Sequence, residues 1–262
     1  MLSDDGAQAL AGGHSLLPAM KLRLNQPSTL VDVGRIAELR FIRRDGGRLR
    51  IGASSTHHEI ATSADVQGAI AMLAEGANHI GDPAVRNRGT IGGSLAHADP
   101  AADWPAMMLA ANARITIANP KGERHVEAGD FFQGFYATAL EEGELITSVD
   151  IPVPNGNYSS VYAKFEQPAS RFAIVGCAAM ADVSSGSFRD VRVAFTGVAD
   201  TPFRDAAVEA ALEGNAANAA TIDAAAAQAA AGVDFLEDHY ASATYRAHLA
   251  KVYAKRALMA LL

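Results

Sequence analysis

The sequence predicts an α+β fold in two domains, and three observations carry that prediction. Short runs of β-branched and aliphatic residues, bounded by glycine, proline and asparagine clusters, recur up to Val198 and read as strands. From Thr201-Pro202 onward the composition turns alanine-rich with helical spacing of its larger apolar residues. Between the two regimes of strands lies Pro152-Val153-Pro154-Asn155-Gly156-Asn157, a cluster of the kind that separates domains. A chain of 262 residues suits one large or two ordinary domains, and the cluster divides it into 1–155 and 156–262.

Taken in order, Gln8 to Ala11 reads as a short strand ending at a glycine pair. His14 to Leu24 follows as a short helix whose apolar face is Leu16, Leu17, Met20 and Leu24. Leu30 to Val33 and Leu49 to Ala53 are further strands, the second preceded by the hairpin-type turn Asp45-Gly46-Gly47. Thr62 to His79 is expected as one helix, with Thr62, Ser63 and Asp65 as possible caps and Gly76 and Gly81 near its end. Ala106 to Ala111 is a buried helix, Arg114 to Ala118 a strand closed by Asn119-Pro120-Lys121-Gly122, and Leu145 to Ile151 another strand. Beyond the boundary, Val161–Phe165, Ile174–Val183 and Val191–Val198 have the spacing of a small antiparallel sheet. Helices follow over Ala206–Leu212, Ile222–Ala231 and Tyr240–Leu261.

Composition excludes several classes of function. A hydrophobic fraction of 49% with 19% charged residues supplies a core and rules out extended disorder. The net charge of −7 argues against nonspecific nucleic-acid binding, which needs a basic surface to release counterions. The single cysteine, Cys177, sits in an apolar run and can form no intrachain disulfide. It also cannot supply the four thiolates of an ordinary iron–sulfur cluster. The acidic start Met1 to Gly6 lacks a basic region followed by an apolar stretch, and no apolar run is long enough for a transmembrane segment, so the cytoplasm is the expected compartment.

Two glycine-rich segments carry the chemistry: Ala11-Gly12-Gly13-His14-Ser15 and Thr90-Ile91-Gly92-Gly93-Ser94. A glycine pair removes two Cβ atoms and permits positive φ, so backbone N–H groups can turn toward an anionic ligand from close range. Two such segments could grip one pyrophosphate from both ends. Neither matches G-x-G-x-x-G, and no G-x-x-x-x-G-K-[ST] occurs, so any nucleotide is held in another way. His57-His58 would place adjacent imidazoles on opposite faces of a strand, a poor shared metal site. His97, His125, His239 and His248 are dispersed, and Ser15 and Ser94 lack a base partner, so no catalytic or metal-ligating set is expected.

The first glycine segment extended to Lys21, and the stretch from Gly81 through Val85-Arg86-Asn87-Arg88-Gly89 to Asp103, resemble the FAD-binding medium subunit of molybdenum hydroxylases, the xanthine dehydrogenase and aerobic carbon monoxide dehydrogenase relatives. The resemblance continues through Pro168 to Gly176 and Phe195 to Arg204 and reaches Tyr245-Arg246-Ala247-His248-Leu249. It implies a FAD-binding domain of the p-cresol methylhydroxylase type, built from two α/β subdomains, then a small sheet with helices. Relatives begin with an extra strand and helix where only ten residues precede Ala11, which implies a first subdomain shortened at its N-terminus.

The same resemblance assigns roles. It places Ala11 through Ser15 and Thr90 through Ser94 against the FAD pyrophosphate and ribityl, and Asp103 on cofactor hydroxyls, although that aspartate also suits a helix N-cap. Ile146 corresponds to a position whose backbone touches the flavin, Lys164 to a lysine near it, and Phe172 to an aromatic beside the ring that is usually tyrosine. Arg171 stands where several relatives carry aspartate. The family implies noncovalent FAD here, a molybdenum cofactor in a large molybdopterin-binding partner, [2Fe–2S] clusters in a small partner, and an electron acceptor such as a quinone or NAD. A covalent link to His14, as in flavin oxidases with Gly-Gly-His, and a FAD-free assembly module are the competing readings.

Overall fold

The computed structural model describes residues 6–156 and 158–262; residues 1–5, within the acidic start, and Asn157, the last residue of the boundary cluster, lie outside the described residues. The chain opens with β1 (Ala7–Leu10), α1 (Leu16–Lys21) and β2 (Thr29–Asp32), the two strands pairing in parallel from Ala7 opposite Thr29 to Leu10 opposite Asp32. β3 (Ile42–Asp45) and β4 (Arg48–Gly52) form the expected hairpin, with Gly46 and Gly47 at φ 55° and 78° where an L-residue would be strained.

The helix expected over Thr62 to His79 is instead divided. α2 (His57–Thr62) starts on a capping box, in which Thr56 accepts from the Glu59 N–H and Glu59 reaches back to the Thr56 N–H. Ser63 then caps α3 (Ala64–Ala69), and Ile70 at φ −149° breaks the helix before α4 (Ala71–Asn78). The break is sustained from outside, because Ser160 of a distant strand accepts the Met72 N–H at 3.3 Å. Asp82 caps the short α5 (Pro83–Arg86), and α6 (Ile91–His97) follows. α7 (Asp103–Ala110) begins earlier than expected because Pro105 is tolerated in a first helical turn.

β5 (Arg114–Asn119), β6 (Gly122–Glu127), the one-turn α8 (Ala128–Phe131), the small hairpin of β7 (Phe132–Gly134) and β8 (Ala137–Thr138), and β9 (Leu145–Pro152) complete the first half. Its main sheet is antiparallel throughout, in the order β3-β4-β9-β5-β6. The second half is an antiparallel sheet of β10 (Tyr158–Glu166), β11 (Ala173–Asp182), β12 (Arg189–Thr196) and β13 (Phe203–Arg204), followed by α9 (Ala206–Leu212), α10 (Ala219–Ala226) and α11 (Ala243–Met259).

β11 is buried on both faces, which explains why it is built from alanine, glycine and short aliphatics. One face packs with α9 to α11 through Val175, Cys177 and Ala179, and the other, with Ala178 and Met180, joins Trp104, Met107 and Leu73 in the core of the first half. The two halves therefore share hydrophobic material. Among the described residues no helix is long and apolar enough to cross a membrane.

Candidate cofactor site

A cavity of about 470 Å³ opens where the loop after β1, the start of α6, the start of β9 and the β10–β11 loop converge. Of the residues expected at the site, Ala11 to Ser15, Thr90, Gly92, Gly93, Ser94, Asp103, Ile146 and Phe172 line it, whereas Ile91 and Lys164 do not. Ile91 is instead fully buried in the core beneath α6.

The first glycine segment has the properties of an anion cradle. Gly13 adopts φ 74°, and a Cβ on Gly12 would collide with the Arg88 carbonyl, so this loop crosses the Arg88–Gly89 backbone where only glycine fits. Among the described residues the N–H groups of Gly12, Gly13, His14 and Ser15 donate to no protein acceptor. Four successive amides without a protein partner at a cavity wall, three on half-buried residues and one on exposed His14, fit a ligand rich in acceptor oxygens, as a dinucleotide pyrophosphate is. His14 turns its Nδ1 to within 3.0 Å of the Gly12 carbonyl oxygen.

The second segment differs from expectation. It is the first turn of α6, capped by Thr90, and its N–H groups are already engaged. Ile91 donates to Ser55 O at 3.1 Å, Gly92 to Ala53 O at 2.9 Å, Gly93 to Thr90 Oγ1 at 3.1 Å and Ser94 to Thr90 O at 3.0 Å. Gly92 and Gly93 are not in the left-handed region; Gly92 is required because a Cβ would lie 2.5 Å from that of Ala53. This wall offers the cavity a glycine surface and the hydroxyls of Thr90 and Ser94.

Asp103 is the first residue of α7, and the N-cap position falls to Ala102, so the capping alternative does not hold. Its carboxylate accepts from the Tyr162 hydroxyl through Oδ1 and from Lys164 Nζ at 2.9 Å through Oδ2. Lys164 Nζ also donates to the His79 carbonyl at 3.1 Å, so the ammonium lies behind the cavity wall. Burial pushes the Asp103 carboxyl up from the usual range, against the opposing pull of Lys164 and Tyr162. The Tyr162 phenol is driven well above 10 by burial and by Asp103.

Ile146 is buried on β9 opposite Ile117, beside a register shift at which Thr147 of β9 is left without a partner in β5. Phe172 is 44% exposed on the β10–β11 loop. That loop is fixed by Gln167, whose Oε1 accepts the N–H groups of Ala169 and Ser170, and by Arg171 at φ 59°. Arg171 lines the cavity beside Phe172, so residues of the second half close a site otherwise made by the first.

His57 also lines the cavity and was not anticipated as a site residue. The residue is not on a strand but opens α2 and is 4% exposed; the sequence signal for that placement is the Thr56-x-x-Glu59 capping box. Its Nδ1 accepts from Trp104 Nε1 at 3.1 Å. Burial, with the positive charges of His14 and Arg86, lowers its pKa from 6.5 to about 3.

Comparison with known proteins agrees with this geometry. Residues 1–154 match the family described as the FAD binding domain in molybdopterin dehydrogenase, and residues 160–261 match the CO dehydrogenase flavoprotein C-terminal domain. The carbon monoxide dehydrogenase medium chain of Hydrogenophaga pseudoflava is 41% identical over 254 residues, spanning 97% of this chain and 88% of that one. The glyceraldehyde dehydrogenase medium chain of Sulfolobus acidocaldarius is 34% identical over 97% of this chain and 90% of its own length. A solved carbon monoxide dehydrogenase from Hydrogenophaga pseudoflava superposes with a TM-score of 0.94 at 42% identity, covering 98% of this chain and 90% of that one. The chain therefore belongs to the FAD-binding medium subunits of molybdenum hydroxylases, the family of the carbon monoxide and xanthine dehydrogenases, and is an oxidoreductase subunit with a FAD-binding domain.

Proposed function

We propose that this chain is the electron-transferring flavin subunit of a three-component molybdenum hydroxylase or dehydrogenase, with 1–155 as its FAD-binding domain and 156–262 as the domain that closes the site. Bound noncovalently, FAD would supply the redox chemistry, accepting electrons from [2Fe–2S] clusters of a small partner, downstream of the molybdenum cofactor in a large molybdopterin-binding partner, and passing them to a quinone, NAD or another acceptor. The observation that carries this reading is the run of unpartnered N–H groups from Gly12 to Ser15 around the turn at Gly13.

The chain's own residues then bind, orient and shield. The amides of Ala11 to Ser15 hold the diphosphate, while Thr90, Gly92, Gly93 and Ser94, seated by buried Ile91, form the facing wall. Ile146 and Phe172 supply apolar surface that excludes water from the ring. Asp103, held in an ion pair by Lys164 behind the wall, faces the cofactor hydroxyls. The cytoplasm is the compartment this reading assigns.

Titration of the purified protein with FAD tests the reading. Stoichiometric uptake of flavin is expected, and acid precipitation should leave the flavin in the supernatant. Flavin sedimenting with the denatured chain would establish a covalent link at His14 instead, and absence of uptake at excess FAD would leave the assembly-module reading.

A further inference from the structure

We propose that His57 is a cofactor-binding residue, its Nε2–H serving as a fixed neutral donor to an oxygen of the FAD diphosphate. The inference rests on FAD occupying the cavity and deepens that reading by adding a side chain to the backbone cradle.

The argument begins with tautomerism. An indole nitrogen can only donate, so the bond from Trp104 Nε1 makes His57 Nδ1 an acceptor and leaves the ring's hydrogen on Nε2. Trp104 is itself fully buried in the first turn of α7, so this donor has no alternative in solvent. The opposite ring nitrogen, Nε2, sits beside Gly89, where a Cβ would come within 2.7 Å of it. Among the described residues Nε2 has no protein acceptor, yet it is not one of the side-chain atoms sealed from solvent, and His57 borders the cavity. A donor held in one orientation at a cavity wall, with no protein acceptor, is placed for an acceptor that arrives with the ligand.

Position and charge identify that acceptor. Gly89, against which the His57 ring packs, is the residue whose backbone Gly12 crosses, so Nε2–H and the free amides of Gly12 to Ser15 border one cavity. The Arg86 guanidinium adds positive potential at the ring, which favours an anionic oxygen nearby. With the ring held neutral down to about pH 3, the donor does not titrate over the neutral range.

Two substitutions separate the donor from the structural bond. His57→Asn keeps an acceptor near Nδ1 for Trp104 and removes the Nε2 donor, whereas His57→Gln places an amide N–H near Nε2. In calorimetric titration of the full chain, His57→Asn is expected to bind FAD and ADP about five- to tenfold more weakly, the equivalent of one lost hydrogen bond, and His57→Gln to stay within about twofold of the original. Riboflavin, which has no phosphate, should bind His57→Asn and the unsubstituted protein alike. Far-ultraviolet circular dichroism and a thermal melt matching those of the unsubstituted protein certify that the variant's fold is intact. Nitrogen-15 NMR of the unsubstituted protein gives a second readout: an Nε2–H tautomer whose resonance moves on adding ADP is expected. Equal FAD affinity of His57→Asn, an Nδ1–H tautomer, or an equal loss with riboflavin would overturn the proposal while leaving FAD binding in place. Failure of the unsubstituted protein to bind FAD would overturn both.

Discussion

Gly12 and Gly68 are the same residue under opposite constraints. A Cβ at Gly12 would strike the Arg88 carbonyl, which is backbone and cannot swing away, whereas at Gly68 in α3 nothing lies within 4 Å. Gly12→Ala should therefore cost roughly 1–3 kcal/mol through overpacking and abolish FAD uptake as the loop shifts. Gly68→Ala should be neutral or stabilise by up to about 1 kcal/mol, because alanine loses less backbone freedom in a helix. Thermal denaturation of the two variants, read beside FAD titration, checks both expectations; a Gly12→Ala protein with unaltered melting would contradict the steric account. The glycine pairs were legible in the sequence as places of close approach. Which of them kept free donors was not, because the acceptors that satisfy α6, the carbonyls of Ala53 and Ser55, come from another element. His57 was illegible for a related reason: its role is set by Trp104, distant along the chain.

At the scale of elements, α6 shows how one residue can hold a wall of the site. Thr90 is its N-cap, and the side chain accepts the Gly93 N–H in a helix that two glycines make intrinsically poor. Thr90→Ala should lower stability by about 1 kcal/mol in urea denaturation and weaken FAD binding, while Thr90→Ser, which retains the oxygen, should lose little of either. Equal effects of the two substitutions would remove capping as the cause. Element prediction succeeded where local signals were self-sufficient. α9 spans the expected Ala206–Leu212, started by the Asp205 side chain, and β11 follows its apolar run from Ala173 to Asp182. It failed between Thr62 and His79, where the break at Ile70 depends on Ser160, a partner that local periodicity cannot reveal.

At the scale of the molecule, the two halves are joined by buried polar contacts as well as by a shared core. Asp103 and Lys164 pair across the joint with side chains 4% and 2% exposed, and the single Thr196 Oγ1 hydrogen is shared between the carbonyls of Pro100 and Ala102, 2.9 and 2.7 Å away. Removing one partner of a buried pair strands the other charge, so Asp103→Ala and Lys164→Met should each cost roughly 3–5 kcal/mol. The double variant should be less destabilised than the sum of the two, because neither charge is then left alone; strictly additive losses in chemical denaturation would contradict that coupling. The β10–β11 loop has one more consequence. Since Arg171 and Phe172 border the cavity and leave the ribosome long after Gly12 and Thr90, a growing chain presents an open-sided site. The cavity is thus walled completely only once the C-terminal half has emerged and packed against the first.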